Sequence, residues 1–162
     1  HPGARWFFKC WEDGKNAALL QLLLLNGKNV VLTASPDAAE QEMVQSILGR
    51  LKIPDGVHVW VLSGCLNLRE LAAAIDGAEL FFGVDSVPMH IAAALDKPQV
   101  ALFGPSWVGR WRPYSDKAEV VWAGDFAELP HPDSINTNDA TRLLGAIPLD
   151  VVWEKVRAKL GL

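Results

Sequence analysis

Cysteine, basic charge and long apolar runs are all scarce in this sequence. Its 162 residues include only two cysteines, Cys10 and Cys65, and no Cys-x-x-Cys pair, so neither a disulfide framework nor a zinc site is expected. Two free thiols favour a reduced, cytoplasmic setting. The formal net charge of −4 argues against a nucleic-acid partner, because such proteins usually carry a basic face.

The longest apolar run and the familiar short motifs also exclude several classes of protein. The run AALLQLLLL, residues 17–25, is interrupted by Gln21 and is shorter than the about 20 residues of a membrane-spanning helix. The sequence contains no GxGxxG, GxxxxGK[ST] or HExxH. The segment GVDSV, residues 83–87, differs from the GxSxG turn of serine hydrolases. Ordinary NAD, P-loop, zincin and serine-hydrolase hypotheses therefore lack their motifs.

Strand-like and helix-like segments alternate along the chain. The strand-like segments are nearly all apolar, which is typical of a parallel sheet covered on both faces. The alternation predicts an α/β fold with a doubly wound parallel sheet, and the length fits one domain over residues 1–162. Strands are predicted at 29–34, 57–62, 79–84, 99–104 and 119–124, helices at 15–25, 38–51, 68–75, after residue 86 and at 147–160 from Pro148, and a surface loop at 127–138.

Loops that follow the strands are the places to look for a site. In doubly wound folds, ligands bind beyond the carboxyl ends of the strands. The loops concerned are SPDAAE at 35–40, SGCLN at 63–67, DSVPMH at 85–90 and GPSWVGRWRP at 104–113.

The loop DSVPMH has the residues of an anion site. Asp85 or Ser86 can cap the helix that follows, and the free N–H groups of that helix present a partial positive charge suited to phosphate. His90 can add a hydrogen bond or a positive charge at the same place. Each residue alone is more typical of a capped helix with a satisfied histidine. Together, at the end of a buried strand, they favour a binding site.

Other polar residues give weaker signals. Lys9, the single cation inside WFFKCW, can meet phosphate oxygens or simply cover apolar neighbours with its stem. Glu40 can accept hydrogen bonds from ribose hydroxyls or simply favour the dipole of its helix. Arg110 and Arg112 can steer an anionic substrate or belong to a solvated loop.

The loop FGPS combines a glycine, a proline and a hydroxyl at the end of a predicted strand. Gly104 allows backbone to approach a ligand closely, and Pro105 suits a first helical turn before Ser106. The same residues are typical of a plain strand-to-helix turn.

A long run of this sequence resembles a known family. FFGVDSVPMHIAAALDKPQVALFGPSWVGRWRP, residues 81–113, is similar to the hallmark region of the lipopolysaccharide heptosyltransferases, the ADP-heptose-using glycosyltransferase family 9 with a two-domain GT-B fold. HPGARWFFKCW, VVLTASPDAAE and NLRELAAAIDGAELFFGVDS extend the resemblance over nearly the whole chain. DSVPMH, KCW and W-R-P look most like the heptosyltransferase III branch. Most of the family has glycine where Val87 stands, and a β-branched residue tolerates positive φ poorly.

The resemblance implies a fold, a reaction and a set of site residues. The fold is the Rossmann-like C-terminal half of a GT-B glycosyltransferase, and the reaction is inverting and metal-independent, with ADP-heptose as donor substrate and no further cofactor. Lys9, Asp85 and His90 are the implied catalytic residues. By resemblance Lys9 contacts the diphosphate, Glu40 the ribose side, Asp85, Ser86 and His90 the sugar-diphosphate region, and Gly104, Pro105 and Ser106 lie close to the nucleotide.

The implied acceptor is the lipopolysaccharide inner core, which the family binds through an N-terminal domain. That domain supplies the general base and is expected to be absent from this chain, as is the first strand of its own domain. The chain alone is therefore expected to transfer no sugar, and to associate at most peripherally with the inner face of the inner membrane. Two alternatives stay open: a GT-B transferase that uses another nucleotide sugar, and a non-catalytic nucleotide-binding module.

Overall fold

The computed structural model describes residues 1–138 and 140–162 and has the predicted α/β organisation. Helices and strands alternate from the first helix onward, and a 3₁₀ helix, Phe7–Lys9, precedes them. In chain order the elements are α1 Asp13–Leu25, β1 Val30–Ala34, α2 Ala38–Leu48, β2 Val59–Ser63, α3 Leu68–Asp76, β3 Phe81–Val84, α4 Val87–Ala94, β4 Gln99–Phe103, α5 Val108–Trp111, β5 Ala118–Trp122 and α6 Leu149–Leu160.

All strand pairs are parallel, and the strands form two sheets. β1 pairs with β2, while β3, β4 and β5 form the second sheet in that order. The first residues of the chain lie between the two sheets: the amino group of His1 donates to the carbonyl of Phe82 at 2.9 Å, and its Nδ1 lies 2.9 Å from Thr33 Oγ1. The residues that follow β1 and those that follow β3 line one common cavity.

The core consists of two groups of buried side chains. The larger group joins leucines of α1, apolar residues of α2 and valines of α6 to the strands, and includes the fully buried Trp11. The smaller group packs α3 and α4 against β3 and β4, with Met89 and Phe103 fully buried. β4 is buried along its whole length, and apart from Gln99 its sequence is apolar, as expected of a parallel strand covered on both faces. In the described residues no helix is both long and apolar enough to cross a bilayer.

Local sequence signals set the ends of the helices. The Asn26-Gly27 stop after α1 is confirmed: Gly27 has φ 74°, and Lys28 N donates to Leu23 O at 3.0 Å in a Schellman pattern. Asn67 and Glu70 form a capping box at the start of α3. The first of these signals fixes the loop that leads into β1, and the second fixes the loop between the carboxyl end of β2 and α3.

Several boundaries differ from the sequence prediction. α2 ends at Leu48 instead of residue 51, because Gly49 follows as its C-cap. Pro148 is the N-cap residue of α6 instead of its first helical residue. The four-residue α5 was not predicted, and the predicted surface loop at 127–138 contains a short 3₁₀ helix, Pro132–Ser134.

Candidate functional site

A cavity of about 760 Å³ lies at the carboxyl ends of β1 and β3. Its size falls within the range of small-molecule sites, about 300 to 1,000 Å³. Four segments line it: the start of the chain, the loop from β1 into α2, the start of α3, and the turn from β3 into α4. The lining residues are His1, Gly3, Ala4, Arg5, Trp6, Lys9, Ala34, Ser35, Pro36, Asp37, Glu40, Leu66, Asn67, Leu68, Leu71, Asp85, Ser86, Val87 and Pro88.

Lys9 and Asp85 form an ion pair in the wall of this cavity. Lys9 Nζ lies 2.6 Å from Asp85 Oδ2, and the two side chains are 16% and 5% exposed. The 3₁₀ helix ends at Lys9, and Asp85 directly follows β3, where its N–H donates to Leu102 O at 3.1 Å. The backbone of the 3₁₀ helix positions Lys9, and the backbone hydrogen bond to β4 positions Asp85. Two residues that are distant in sequence therefore lie side by side.

Aromatic side chains support the lysine. Lys9 Nζ lies 5.3 Å from the centroid of the Trp6 ring, which is within the range of a cation–π contact. The Trp6 ring in turn stacks on Phe8, with their centroids 5.9 Å apart. Trp6 is 38% exposed, so the cation and the ring edge both face the cavity.

The turn from β3 into α4 differs from its prediction in one respect. Ser86 is the N-cap residue of α4, but its side chain makes no cap hydrogen bond, and its Oγ donates to Val84 O at 3.2 Å. Asp85 is engaged by Lys9 instead. The prediction that either side chain caps α4 is therefore wrong, because both are committed to other partners.

Val87 fits the backbone of this turn without strain. It is the first residue of α4, its side chain is exposed, and in the described chain the only non-glycine residue with positive φ is Asp96. The replacement of the glycine usual in the family therefore requires no left-handed backbone at this position.

Glu40 is buried at the cavity, only 4% exposed. Its Oε2 accepts a hydrogen bond from Ser35 N at 3.0 Å and lies 3.8 Å from His1 Nε2. Asp37, not Glu40, caps α2. A Cβ at Gly3 would lie 2.3 Å from Glu40 Oε2, so any side chain at this position would have to displace the carboxylate.

The remaining predicted residues lie outside the cavity lining. His90 is exposed on α4, one turn after Ser86. Gly104 and Pro105 are buried after β4 and Ser106 is half-buried. The close approach at Gly104 is made by protein groups, since a Cβ there would lie 2.7 Å from the buried Leu144 Cδ1. The ligand contacts predicted for these four residues stay predictions.

Sequence reasoning missed several residues of the cavity wall. Asn67 lies at the end of the loop 63–67, which the sequence analysis had selected, whereas Arg5 and Trp6 lie in the opening segment, outside the selected loops; none of the three had been singled out. The available signal was proximity along the chain, because Arg5 and Trp6 belong to the same stretch as Lys9.

Charges in the cavity are nearly balanced. Its wall carries the cations Arg5 and Lys9 and the carboxylates Asp37, Glu40 and Asp85. An anionic ligand at this site is therefore repelled by the three carboxylates and depends on the two cations for its attraction.

Parallel α/β topology with a cavity at the carboxyl ends of β1 and β3 is the arrangement in which proteins of the doubly wound class bind ligands. The family model of glycosyltransferase family 9 (heptosyltransferase) matches residues 1–140. The chain belongs to this family.

Curated relatives and solved structures agree with this assignment. The chain is 41% identical over 138 residues to lipopolysaccharide heptosyltransferase 3 of Escherichia coli, covering 85% of this chain and 40% of that protein. It is 36% identical to the protein of the same name from E. coli strain K12, over 93% of this chain and 42% of the relative. The structure of E. coli ADP-heptose lps heptosyltransferase II matches with a TM-score of 0.78 and 30% identity, over 98% of this chain and 44% of that one. The chain thus spans less than half the length of these proteins.

Proposed function

We propose that this chain is the donor-binding domain of an inverting, metal-independent glycosyltransferase that moves heptose from ADP-heptose to the lipopolysaccharide inner core. The family assignment and the names of the relatives support the reaction and its substrates. The observation that carries the proposal is the Lys9–Asp85 pair, at 2.6 Å, in the wall of the cavity at the strand ends.

The cavity has polar groups for both the sugar-diphosphate part and the nucleoside part of such a donor. Lys9 is placed to meet the diphosphate, and Asp85, beside it, to accept a hydrogen bond from a sugar hydroxyl. Glu40, at the end of β1, faces the same cavity and is placed to accept hydrogen bonds from ribose. The N-terminus of α4, which follows Ser86, adds a favourable partial charge for the diphosphate.

In the proposed reaction an acceptor hydroxyl attacks C1 of the heptose from the face opposite the diphosphate. A bond forms from the acceptor oxygen to C1, the bond from C1 to the diphosphate oxygen breaks, ADP leaves with the electron pair, and the hydroxyl proton passes to a general base. Negative charge grows on the departing diphosphate, so a lysine contact that strengthens in the transition state accelerates the reaction. A charge-assisted hydrogen bond of this kind contributes about 1.5 to 3 kcal/mol, or roughly one to two powers of ten in rate.

The acceptor and the general base belong, in this proposal, to a further domain. The support is the coverage: relatives that share 36–41% identity with the chain extend over more than twice its length. The proposed setting is the cytoplasm, with at most peripheral association with the inner face of the inner membrane, where the lipopolysaccharide core acceptor is anchored. His90 and the segment Gly104 to Ser106 are proposed to contact the donor from the side of the cleft between the two domains.

Calorimetric titration of ADP into the folded protein, with UDP as control, tests the donor site. We expect ADP to bind in preference to UDP, and the Lys9→Ala variant to bind ADP about ten-fold or more weakly. Equal binding of UDP would favour a different nucleotide sugar. Absence of binding to both nucleotides in the folded protein would contradict a donor site in this cavity.

A further inference from the structure

We propose that Arg5 is the second cation that holds the diphosphate of the donor, and that its charge, unlike that of Lys9, is not compensated by a carboxylate partner among the described residues. This inference rests on the proposed function, because it assigns a residue to the same cavity. It starts from the position of Arg5 four residues before Lys9, in the wall of the same cavity.

Lys9 is already engaged before any ligand binds. Its ammonium group lies 2.6 Å from the carboxylate of Asp85, so the two charges compensate each other. A diphosphate that approaches Lys9 also approaches Asp85, and repulsion from the carboxylate offsets much of the attraction to the ammonium group. The Lys9–Asp85 pair alone therefore contributes more to the orientation of a bound phosphate than to its affinity.

The other charges of the wall do not correct this balance. Asp37 caps α2 and Glu40 accepts from Ser35 N, and both are acidic. With Arg5 present the wall carries two cations against three carboxylates, and without it Lys9 would face all three carboxylates alone.

The Arg5 side chain is accessible to a ligand in the cavity. Arg5 is exposed and lines the cavity, whereas Gly3 and Ala4 directly before it are buried. Within residues 1–138 and 140–162, no hydrogen bond or ion pair engages the Arg5 guanidinium, in contrast to those of Arg142 and Arg157. A guanidinium presents parallel N–H donors that match two phosphate oxygens at once, which a lysine cannot do.

Position separates Arg5 from other unpaired arginines. Arg50 is also exposed and also has no side-chain partner in the described structure, but it follows α2 and does not line this cavity. Arg50 is therefore a matched control: its removal changes the net charge of the protein by the same amount as removal of Arg5.

The test is calorimetric titration of ADP and AMP into the protein and into Arg5→Ala, Arg5→Lys and Arg50→Ala. We expect Arg5→Ala to weaken ADP binding at least ten-fold and AMP binding much less, Arg5→Lys to recover part of the loss, and Arg50→Ala to leave both affinities within about two-fold. Urea unfolding of each variant shows that it is folded, and the exposed, unpaired side chain of Arg5 makes unchanged unfolding the expected result.

Each outcome decides between the two proposals. ADP binding by the original protein together with unchanged affinity in Arg5→Ala would overturn the role of Arg5 and leave the donor site standing. Equal weakening in Arg5→Ala and Arg50→Ala would also overturn it, because net charge alone would then explain the effect. Failure of the original protein to bind ADP would contradict the proposed function itself, and this inference with it.

Discussion

Lys9 Nζ and Asp85 Oδ2 lie 2.6 Å apart, although 76 positions separate the two residues in the chain. The Lys9 side chain is 16% exposed and lines the cavity, whereas the Asp85 side chain is 5% exposed. Removal of either residue therefore leaves the other in a different environment. Asp85 would be left as a buried charge, and Lys9 would still reach solvent.

This asymmetry predicts different costs for removing either partner. Lys9→Ala should lower the free energy of unfolding by about 3 kcal/mol, because it leaves the Asp85 carboxylate buried without a cation. Asp85→Asn should cost about 1 kcal/mol, since the amide oxygen still accepts from Lys9 and the ammonium group keeps access to water. Urea unfolding measures both, with the exposed Lys52→Ala as control. Equal costs for the two variants would contradict the asymmetry.

The same pair predicts opposite changes in nucleotide affinity. Lys9→Ala should weaken ADP binding, while Asp85→Asn should leave it unchanged or tighten it several-fold, because the carboxylate that opposes the diphosphate is gone. ADP-heptose should gain less than ADP from Asp85→Asn, since the sugar loses its charged acceptor. Titration of both ligands into both variants gives the comparison. Equal weakening of ADP binding in the two variants would mean that the pair acts on the fold and not on the ligand.

Periodicity and composition predicted the elements of the fold well. The apolar runs at β1, β3 and β4 predicted strands because parallel strands covered on both faces are apolar along their length, as the fully buried β4 is. The end of α1 at Asn26 and Gly27 was also predicted, since few residues besides glycine adopt the φ of 74° found there. The four-residue α5 escaped prediction because a single turn has no periodicity to detect.

The site was harder to predict than the fold. Sequence reasoning identified Asp85, Ser86, Lys9 and Glu40 as polar residues near strand ends, and the structure brings all four to one cavity. It could not show that Lys9 pairs with Asp85, because contacts between distant segments depend on the tertiary arrangement. Arg5 escaped notice for the same reason: nothing local distinguishes an arginine that faces a cavity from one that faces solvent.

Gly3 is predicted to be essential for the position of Glu40. A methyl group at Gly3 would lie 2.3 Å from Glu40 Oε2 and 2.7 Å from its Cδ, so Gly3→Ala must displace a buried carboxylate. We expect a loss of about 2 kcal/mol in the free energy of unfolding and weaker ADP binding. Gly14→Ala is the control, because a Cβ there meets no atom within 4 Å and alanine favours the first turn of α1. Equal stability of the two variants would contradict the close approach.

Glu40 is predicted to recognise ribose hydroxyls. Its carboxylate is buried at the cavity, and one oxygen is held by Ser35 N at 3.0 Å. Glu40→Gln keeps the shape and an acceptor for Ser35 but removes the charge, which about halves the strength of a hydrogen bond. The original protein should therefore prefer ADP to 2′-deoxy-ADP, and Glu40→Gln should narrow that preference about three-fold. Glu42→Gln, on the exposed side of α2, should leave it unchanged. An unchanged preference in Glu40→Gln would remove Glu40 from the ribose site.

The two cysteines are predicted to differ sharply in reactivity. Burial raises the pKa of the Cys10 thiol from 9.0 to about 11, with a backbone hydrogen bond of Ala4 opposing the shift, whereas Cys65 is exposed in the loop after β2. At pH 8, iodoacetamide should therefore modify Cys65 quickly and Cys10 only after unfolding, which intact-mass spectrometry with and without denaturant can follow.

The raised pKa of Cys10 also has a consequence for the stability of the protein. Between about pH 9 and pH 11 the unfolded chain loses the Cys10 proton while the folded protein keeps it, so the free energy of unfolding should fall as pH rises through that window. A Cys10→Ala variant should lack this part of the pH dependence, and rapid double labelling of the folded protein would contradict the buried position of Cys10.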